Sequence, residues 1–274
     1  MTDKYAVIGN PIAHSKSPAI HVAFARATGI DLTYEALLAP LDGFSATLRA
    51  FIAAGGCGVN VTVPFKQEAY EIADDAADSA CRARAANVLD VRDGEIVAHN
   101  TDGAGLLRDL TVNLGCAVRG RRVLLMGAGG ASWGVAGPLL DAAPVELTIA
   151  NRTVDKAVEL ARHFTQAGSA CAPDACAYAD LAGRAYDVVI NATSAGLSDT
   201  MPQLPGGVFA PGAFAYDMVY GKETPFMRYA RRHGARVADG IGMLVEQAAE
   251  SFHIWRGVRP ETAPVIAMLK SSEQ

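Results

Sequence analysis

Val123-Leu124-Leu125-Met126-Gly127-Ala128-Gly129-Gly130-Ala131-Ser132 is an apolar run that ends in a glycine-rich turn. Four apolar residues in succession read as a strand buried on both faces, and the glycines let the chain turn sharply into a helix that continues through Leu140. The run ELTIA at 146–150 is the next strand, and the polar Asn151-Arg152-Thr153 follows it. Strand, glycine turn, helix and strand in this order form the opening unit of a Rossmann nucleotide-binding sheet. The runs YDVVINAT (186–193), AFAYDMVY (213–220) and ARVADG (235–240) continue it, at intervals that leave room for crossover helices.

Gly127, Ala128, Gly129, Gly130 and Ala131 stand where strand gives way to helix. Backbone without bulk can approach a pyrophosphate there and aim the first N–H groups of the helix at it. Ser132 takes the third fingerprint position, small enough for close helix packing. At the end of the next strand an NAD-binding chain would place an acid for the ribose hydroxyls. Here Arg152 can stack on adenine and pair with a 2′-phosphate, Thr153 can add a donor, and Lys156 adds charge one turn later. Cations at a helix start oppose the macrodipole, and an anionic ligand would rationalise them. The predicted cofactor is therefore NADP rather than NAD. The competing readings are a tight turn without ligand and an ordinary solvated helix start.

Upstream, YAVIG, TYEALL, GVNVTV, ANVLDV and EIVAHN alternate with helical stretches at Ser17 to Ala27 and Leu41 to Ala54. The last two runs flank Arg92-Asp93-Gly94 as a hairpin. This is a second alternating α/β domain. Gly240 to Lys270 reads as helical and is expected to pack back on it, giving domains of 1–104 with 240–274 and of 105–239. The Ala-rich stretch Ala167 to Ala182 reads as an irregular edge of the second domain.

The chain has 274 residues, a net charge of −5 and 50% hydrophobic residues, enough for two ordinary cores and unlike a disordered chain. Basic residues are scattered, so neither nucleic acid nor a membrane surface is an expected partner. No apolar leader and no run approaching a membrane span is present in the sequence, so a cytoplasmic location is expected. Cys57, Cys81, Cys116, Cys171 and Cys176 include no CxxC pair, so neither a disulfide framework nor a metal site is expected. No heptad or apolar stripe marks an interface, and monomer and homodimer both stand.

GNPIAHSKSP (9–18), NVTVPFK (60–66), Asn87 and NTDG (100–103) resemble the shikimate dehydrogenase family, as do GAGGAS (127–132), NRT (151–153), NATSAG (191–196), YDMVY (216–220) and GMLVEQ (242–247). The resemblance spans nearly the whole chain in the family's order. It implies an α/β fold with an N-terminal substrate domain, a Rossmann NADP domain and C-terminal helices returning to the first. The active site is then expected in the cleft between the domains. The implied reaction is the reversible NADPH-dependent reduction of 3-dehydroshikimate to shikimate, a step of aromatic amino-acid biosynthesis. On matching positions, Ser15 and Ser17 would hold the substrate carboxylate, and Thr62, Asn87, Asp102 and Gln247 would contact ring hydroxyls. Lys66 and Asp102 would be the catalytic pair, with Asn60 and Tyr216 as further contacts. The cofactor would also meet Asn151, and its nicotinamide end Thr193, Met218, Gly240 and Met243.

The chemistry suits these residue types. A polyhydroxylated ring acid needs neutral hydrogen-bonding groups at fixed positions, and a site built for its hydroxyls rejects analogues that lack one. Hydride addition to a ketone leaves charge on oxygen, so a proton donor must stand beside it, as the ammonium of Lys66 could. The proton is assigned to the Lys66–Asp102 pair rather than to one member. The rival readings are a quinate or dual quinate/shikimate dehydrogenase, an aminoshikimate-type paralogue, and a non-catalytic NADP-binding protein on the same fold.

Overall fold

The computed structural model describes residues 2–166 and 171–271, all but the side chain of Leu197. The chain divides into two compact units: one runs to Gly105 and resumes at Val245, the other is Leu106–Leu244.

The first unit is built on a six-stranded mixed sheet in the order β2-β1-β3-β5-β6-β4. β1 (Asp3–Gly9) lies parallel to both β2 (Leu32–Leu38) and β3 (Gly56–Val61). The connections are α1 (Ser17–Thr28), with Pro18 in its first turn and Gly29 ending it at φ +69°, and α2 (Phe44–Ala53). The expected hairpin is β5 (Val88–Arg92) and β6 (Glu95–His99), with Arg92 opposite Glu95. Asp93 and Gly94 at its tip have φ of +52° and +87°, the left-handed pair that a two-residue hairpin turn needs. Three short elements had no signal in the sequence: α3 (Lys66–Glu71), β4 (Asp75–Ala76) and α4 (Asp78–Ala83). α5 (Asp102–Arg108) then leads out of the unit and continues as a π-helical turn, Asp109–Asn113.

α9 (Ile241–Arg256) enters this unit at Val245, and α10 (Ala263–Ser271) ends the described chain. Trp255 stacks on Tyr5 at 4.6 Å and donates to the Leu89 carbonyl, and Gly58 has no Cβ because one would sit 2.6 Å from that indole nitrogen. Phe24, Phe252 and Ile20 are fully buried, each stabilising the fold by about 1.5–3 kcal/mol.

The second unit is a parallel sheet in the order β12-β11-β10-β7-β8-β9, the doubly wound dinucleotide-binding order, which reverses between β7 and β10. β7 (Arg122–Met126), β8 (Glu146–Ala150) and β10 (Tyr186–Asn191) are buried almost throughout, as apolar runs covered on both faces should be. β7 feeds α6 (Gly130–Asp141) and β8 feeds α7 (Val154–Gln166). α7 buries Ala157, Leu160, Ala161 and Phe164, one stripe at helical spacing. β11 (Phe209–Asp217), α8 (Pro225–Arg232) and β12 (Arg236–Ala238) complete the sheet.

Ala167–Ala170 lie outside the described residues. The rest of the stretch expected to be irregular carries an edge strand, β9 (Asp174–Cys176), and a 3₁₀ turn, Tyr178–Leu181. β9 forms because β8 offers an unpaired edge: Ala150 and Thr148 pair with Cys176 and Asp174. The units divide at 244/245, later than the expected 239/240, because Met243 packs into the core of the second unit.

Candidate active site

In the first unit, Gly9 lets two strand ends close on each other: a Cβ there would lie 2.4 Å from Thr62 Cγ2. Thr62 N–H donates to Ile8 O and Asn10 N–H to Val63 O, both at 3.0 Å, so the segments that follow β1 and β3 run together. Ser15 and Ser17 lie at the start of α1, where Ser17 N–H donates to Ser15 Oγ at 3.3 Å. Ser15 is half-buried and Ser17 buried.

Lys66 opens α3 and Asp102 opens α5. Lys66 Nζ donates to Asp102 Oδ2 at 2.6 Å, with the side chains 20% and 7% exposed. An acid at a helix start is favoured by the macrodipole and a lysine there is opposed by it, so the pairing offsets a locally unfavourable placement of Lys66. Asn100 caps α5 by accepting from Asp102 N–H at 3.1 Å. The other Asp102 oxygen accepts from Asn87 Nδ2 at 2.9 Å. The same amide nitrogen lies 3.0 Å from Thr101 Oγ1 and 3.1 Å from Gln247 Oε1. Two amide protons thus face three acceptors. A ligand bearing hydroxyl groups can both donate to and accept from side chains of these kinds.

Asn60 lies beneath. Its Oδ1 accepts from Tyr34 OH at 2.7 Å, and its Nδ2 donates to Ser251 Oγ at 2.9 Å and Asn87 O at 3.2 Å. Ser251 Oγ in turn donates to the Gln247 carbonyl at 2.9 Å.

In the second unit, Gly127 adopts φ +102°, and a Cβ there would press on Ala192 and Thr193. Ser132 Oγ donates to the Gly127 carbonyl at 2.8 Å and locks the turn. Side chains built at Gly129 or Gly130 would meet nothing, and the first turn of α6 has no side-chain cap. Open space at the N-terminus of a helix without a side-chain cap fits a diphosphate. Beyond β8, Asn151 Nδ2 donates to Thr153 O at 2.8 Å, shaping a turn on which Arg152, Thr153 and Lys156 are exposed. At the end of β10, Thr193 Oγ1 donates to Asn191 Oδ1 at 2.7 Å. Asn191 Nδ2 and Val219 N–H donate to the fully buried Asp217 carboxylate, as does the Thr224 hydroxyl. Burial pushes the Asp217 carboxyl up while those three donors pull it down. Gly240 packs against backbone: a Cβ would stand 2.3 Å from Met218 O.

Family models match in three stretches: a shikimate dehydrogenase substrate binding domain at residues 7–89, a shikimate/quinate 5-dehydrogenase at 111–198 and a shikimate 5′-dehydrogenase C-terminal domain at 240–270. The shikimate dehydrogenase (NADP(+)) of Nitrosospira multiformis is 58% identical over 99% of this chain and 98% of its own. The chain belongs to the shikimate dehydrogenase family. Among solved structures, the Ael1 enzyme from Pseudomonas putida shares 51% identity at a TM-score of 0.92, over 98% of each chain. A shikimate 5-dehydrogenase from Thermus thermophilus, in complex with NADP(H) and shikimate, shares 33% identity at a TM-score of 0.86, covering 98% of this chain and 99% of that one. Shikimate dehydrogenases are oxidoreductases, so this chain is an enzyme of that class.

Of the residues expected from the sequence, the chain brings Lys66, Asn87, Asp102 and Gln247 into one hydrogen-bonded cluster. Two expected contacts come out differently. Tyr216 is fully buried in the core of the second unit and its hydroxyl donates to Asp109 at 2.6 Å, so it has no face for a substrate. Asn60 has both ends of its amide engaged internally and would have to give up a partner to bind anything else. Met243 is 8% exposed and packs mainly as a core side chain, unlike the half-buried Met218. Sequence reasoning passed over Thr101, Asp109 and Asp217. The signal for Thr101 was Asn-Thr-Asp at a helix start, three capping-type residues where one suffices.

Proposed function

We propose that the chain catalyses the reversible NADPH-dependent reduction of 3-dehydroshikimate to shikimate, in the pathway to aromatic amino acids. The observation that carries this reading is the Lys66–Asp102–Asn87–Gln247 cluster, an ion pair beside neutral amide side chains. A ring carrying several hydroxyls can pair with these groups, and an analogue lacking one leaves a buried polar group unpaired. Thr62 completes the hydroxyl contacts, and Ser15 and Ser17 offer their hydroxyls to the carboxylate. Lys66 Nζ hands its proton to the oxygen on which charge develops, and Asp102, held by Asn87 and the start of α5, keeps the ammonium aimed. In the oxidative direction the pair takes the proton back. Five free thiols accord with a reducing, cytoplasmic compartment.

NADPH, when bound, supplies the hydride. Gly127 to Ala131 would hold its diphosphate, Asn151, Arg152, Thr153 and Lys156 its 2′-phosphate end, and Thr193, Met218 and Gly240 its nicotinamide end. Arg152→Ala is expected to raise KM for NADP+ about 10- to 100-fold, the loss of one charge-assisted contact of about 1.5–3 kcal/mol. KM for NAD+ should change less than threefold, and equal effects on both would remove Arg152 from the 2′-phosphate site. Steady-state rates for shikimate and quinate, each with NADP+ and NAD+, test the whole reading. Shikimate with NADP+ should give the largest kcat/KM, a larger value with quinate would reassign the substrate, and no turnover would leave a binding protein.

A further inference from the structure

The proposed substrate residues do not hold themselves in place; a buried neighbour ties them together. Thr101 is 1% exposed and has no room to touch a ligand. Its main-chain N–H donates to Asn87 Oδ1 at 2.8 Å, which fixes the amide so that its nitrogen, not its oxygen, faces Asp102. Its hydroxyl oxygen accepts from Asn87 Nδ2 at 3.0 Å. The single hydroxyl proton has two main acceptors, the Gln247 main-chain carbonyl at 3.1 Å and Asn87 Oδ1 at 3.2 Å, so the hydroxyl's bonds run to Asn87 or Gln247. That carbonyl also accepts from Ser251, and this second anchor leads through Asn60 to Tyr34. One hydroxyl therefore joins the bend before β5, where Asn87 lies, the segment entering the helix that Asp102 opens and the helix that carries Gln247.

We infer that Thr101 is a positioning residue for substrate recognition, setting the orientation of the Asn87 amide and the placement of Gln247 through its hydroxyl. The inference rests on the shikimate dehydrogenase reading of the site. Without the hydroxyl, Asn87 keeps the main-chain donor but loses the acceptor that holds one of its protons, and Gln247 loses its tie to α5. Recognition of ring hydroxyls then loosens more than the Lys66–Asp102 ion pair, whose direct contact the Thr101 side chain does not make.

The test compares Thr101→Val, close in shape but without the hydroxyl, with Thr101→Ser, which keeps it. Thr101→Val should raise KM for shikimate at least tenfold and lower kcat less than fivefold, with KM for NADP+ unchanged. Thr101→Ser should return KM for shikimate to within threefold of wild type. In an Asn87→Ala background, Thr101→Val should add less than threefold, because the two act as one unit. Wild-type KM in Thr101→Val, failure of serine to rescue, or a full additional loss in the double variant would each overturn the role. A wild-type enzyme without shikimate turnover would instead remove the reading beneath it, and the role with it. Loss of NADP+ binding in Thr101→Val would show a general folding defect, and serine rescue of shikimate KM alone would then have to carry the role or sink it.

Discussion

Lys66→Ala is expected to lower kcat by about 10²–10⁴-fold in both directions, the usual contribution of a positioned proton donor. The expectation rests on a short contact: Nζ lies 2.6 Å from Asp102 Oδ2, on a side chain still 20% exposed. The lysine is therefore held yet reachable. Because the lost interaction forms as charge develops on oxygen, kcat and kcat/KM should fall together, with KM for shikimate shifting much less. Lys66→Arg separates the two things an ammonium could do. A guanidinium keeps the positive charge near Asp102 but does not give up a proton in proteins. If proton donation is the role, the arginine variant stays within tenfold of alanine; if charge alone suffices, it recovers most of the rate. Removing Lys66 also leaves a nearly buried carboxylate without its counter-charge, so each variant should be melted beside wild type and titrated with NADP+. A variant that binds NADP+ and melts normally, yet turns over at the wild-type rate, removes Lys66 from the chemistry.

The two units differ in how plainly the sequence declares them. In the second, β7, β8, β10 and the end of β11 are apolar runs, α7 is a periodic stripe, and the glycines at 127, 129 and 130 mark the turn from β7 into α6. Right-handed crossovers leave little freedom in strand order after that. In the first, several short elements escaped notice, among them α3, which carries Lys66. α3 and α4 are six residues each and β4 is two, too short to show a period. They owe their existence to long-range bonds, such as Ala86 N–H to Lys66 O and Ala77 N–H to Ala98 O. Motif resemblance could still place Lys66 and Asp102 because it does not depend on secondary structure. What it could not show, at Asn60 and Tyr216, was a partner far along the chain: Ser251 for one and Asp109 for the other. A polar residue in a motif reads alike whether it faces a ligand or a neighbour.

His21→Phe is expected to flatten the acid side of the stability profile. His21 is fully buried, stacked on Tyr34 at 4.2 Å and flanked by Trp255, Phe252 and Phe24, and neither ring nitrogen has a hydrogen-bond partner among the described residues. Burial disfavours the imidazolium by more than the nearby Asn60 amide supports it, and lowers the ring from an ordinary 6.5 to about 3. The unfolded chain therefore binds a proton that the folded chain refuses between these two values, and stability falls as pH drops through that window. The contribution is fully present above pH 6.5 and is lost by about 1.4 kcal/mol per pH unit below it, on the order of 4–5 kcal/mol by pH 3. Tyr34, the ring stacked on it, is silent in this range because burial raises its hydroxyl well above 10. Phenylalanine keeps the stacking and refuses no proton, so at pH 7 the variant should match wild type within about 1.5 kcal/mol, the usual tolerance for an aromatic swap of similar volume. At pH 4.5 it should be the more stable by about 2–3 kcal/mol relative to that starting point. Urea unfolding read by Trp255, 5.4 Å from the imidazole, in a Trp133→Phe background follows this core directly. Parallel acid limbs for the wild-type and His21→Phe chains would mean that the imidazole titrates alike folded and unfolded, and that its burial costs the protein nothing in acid.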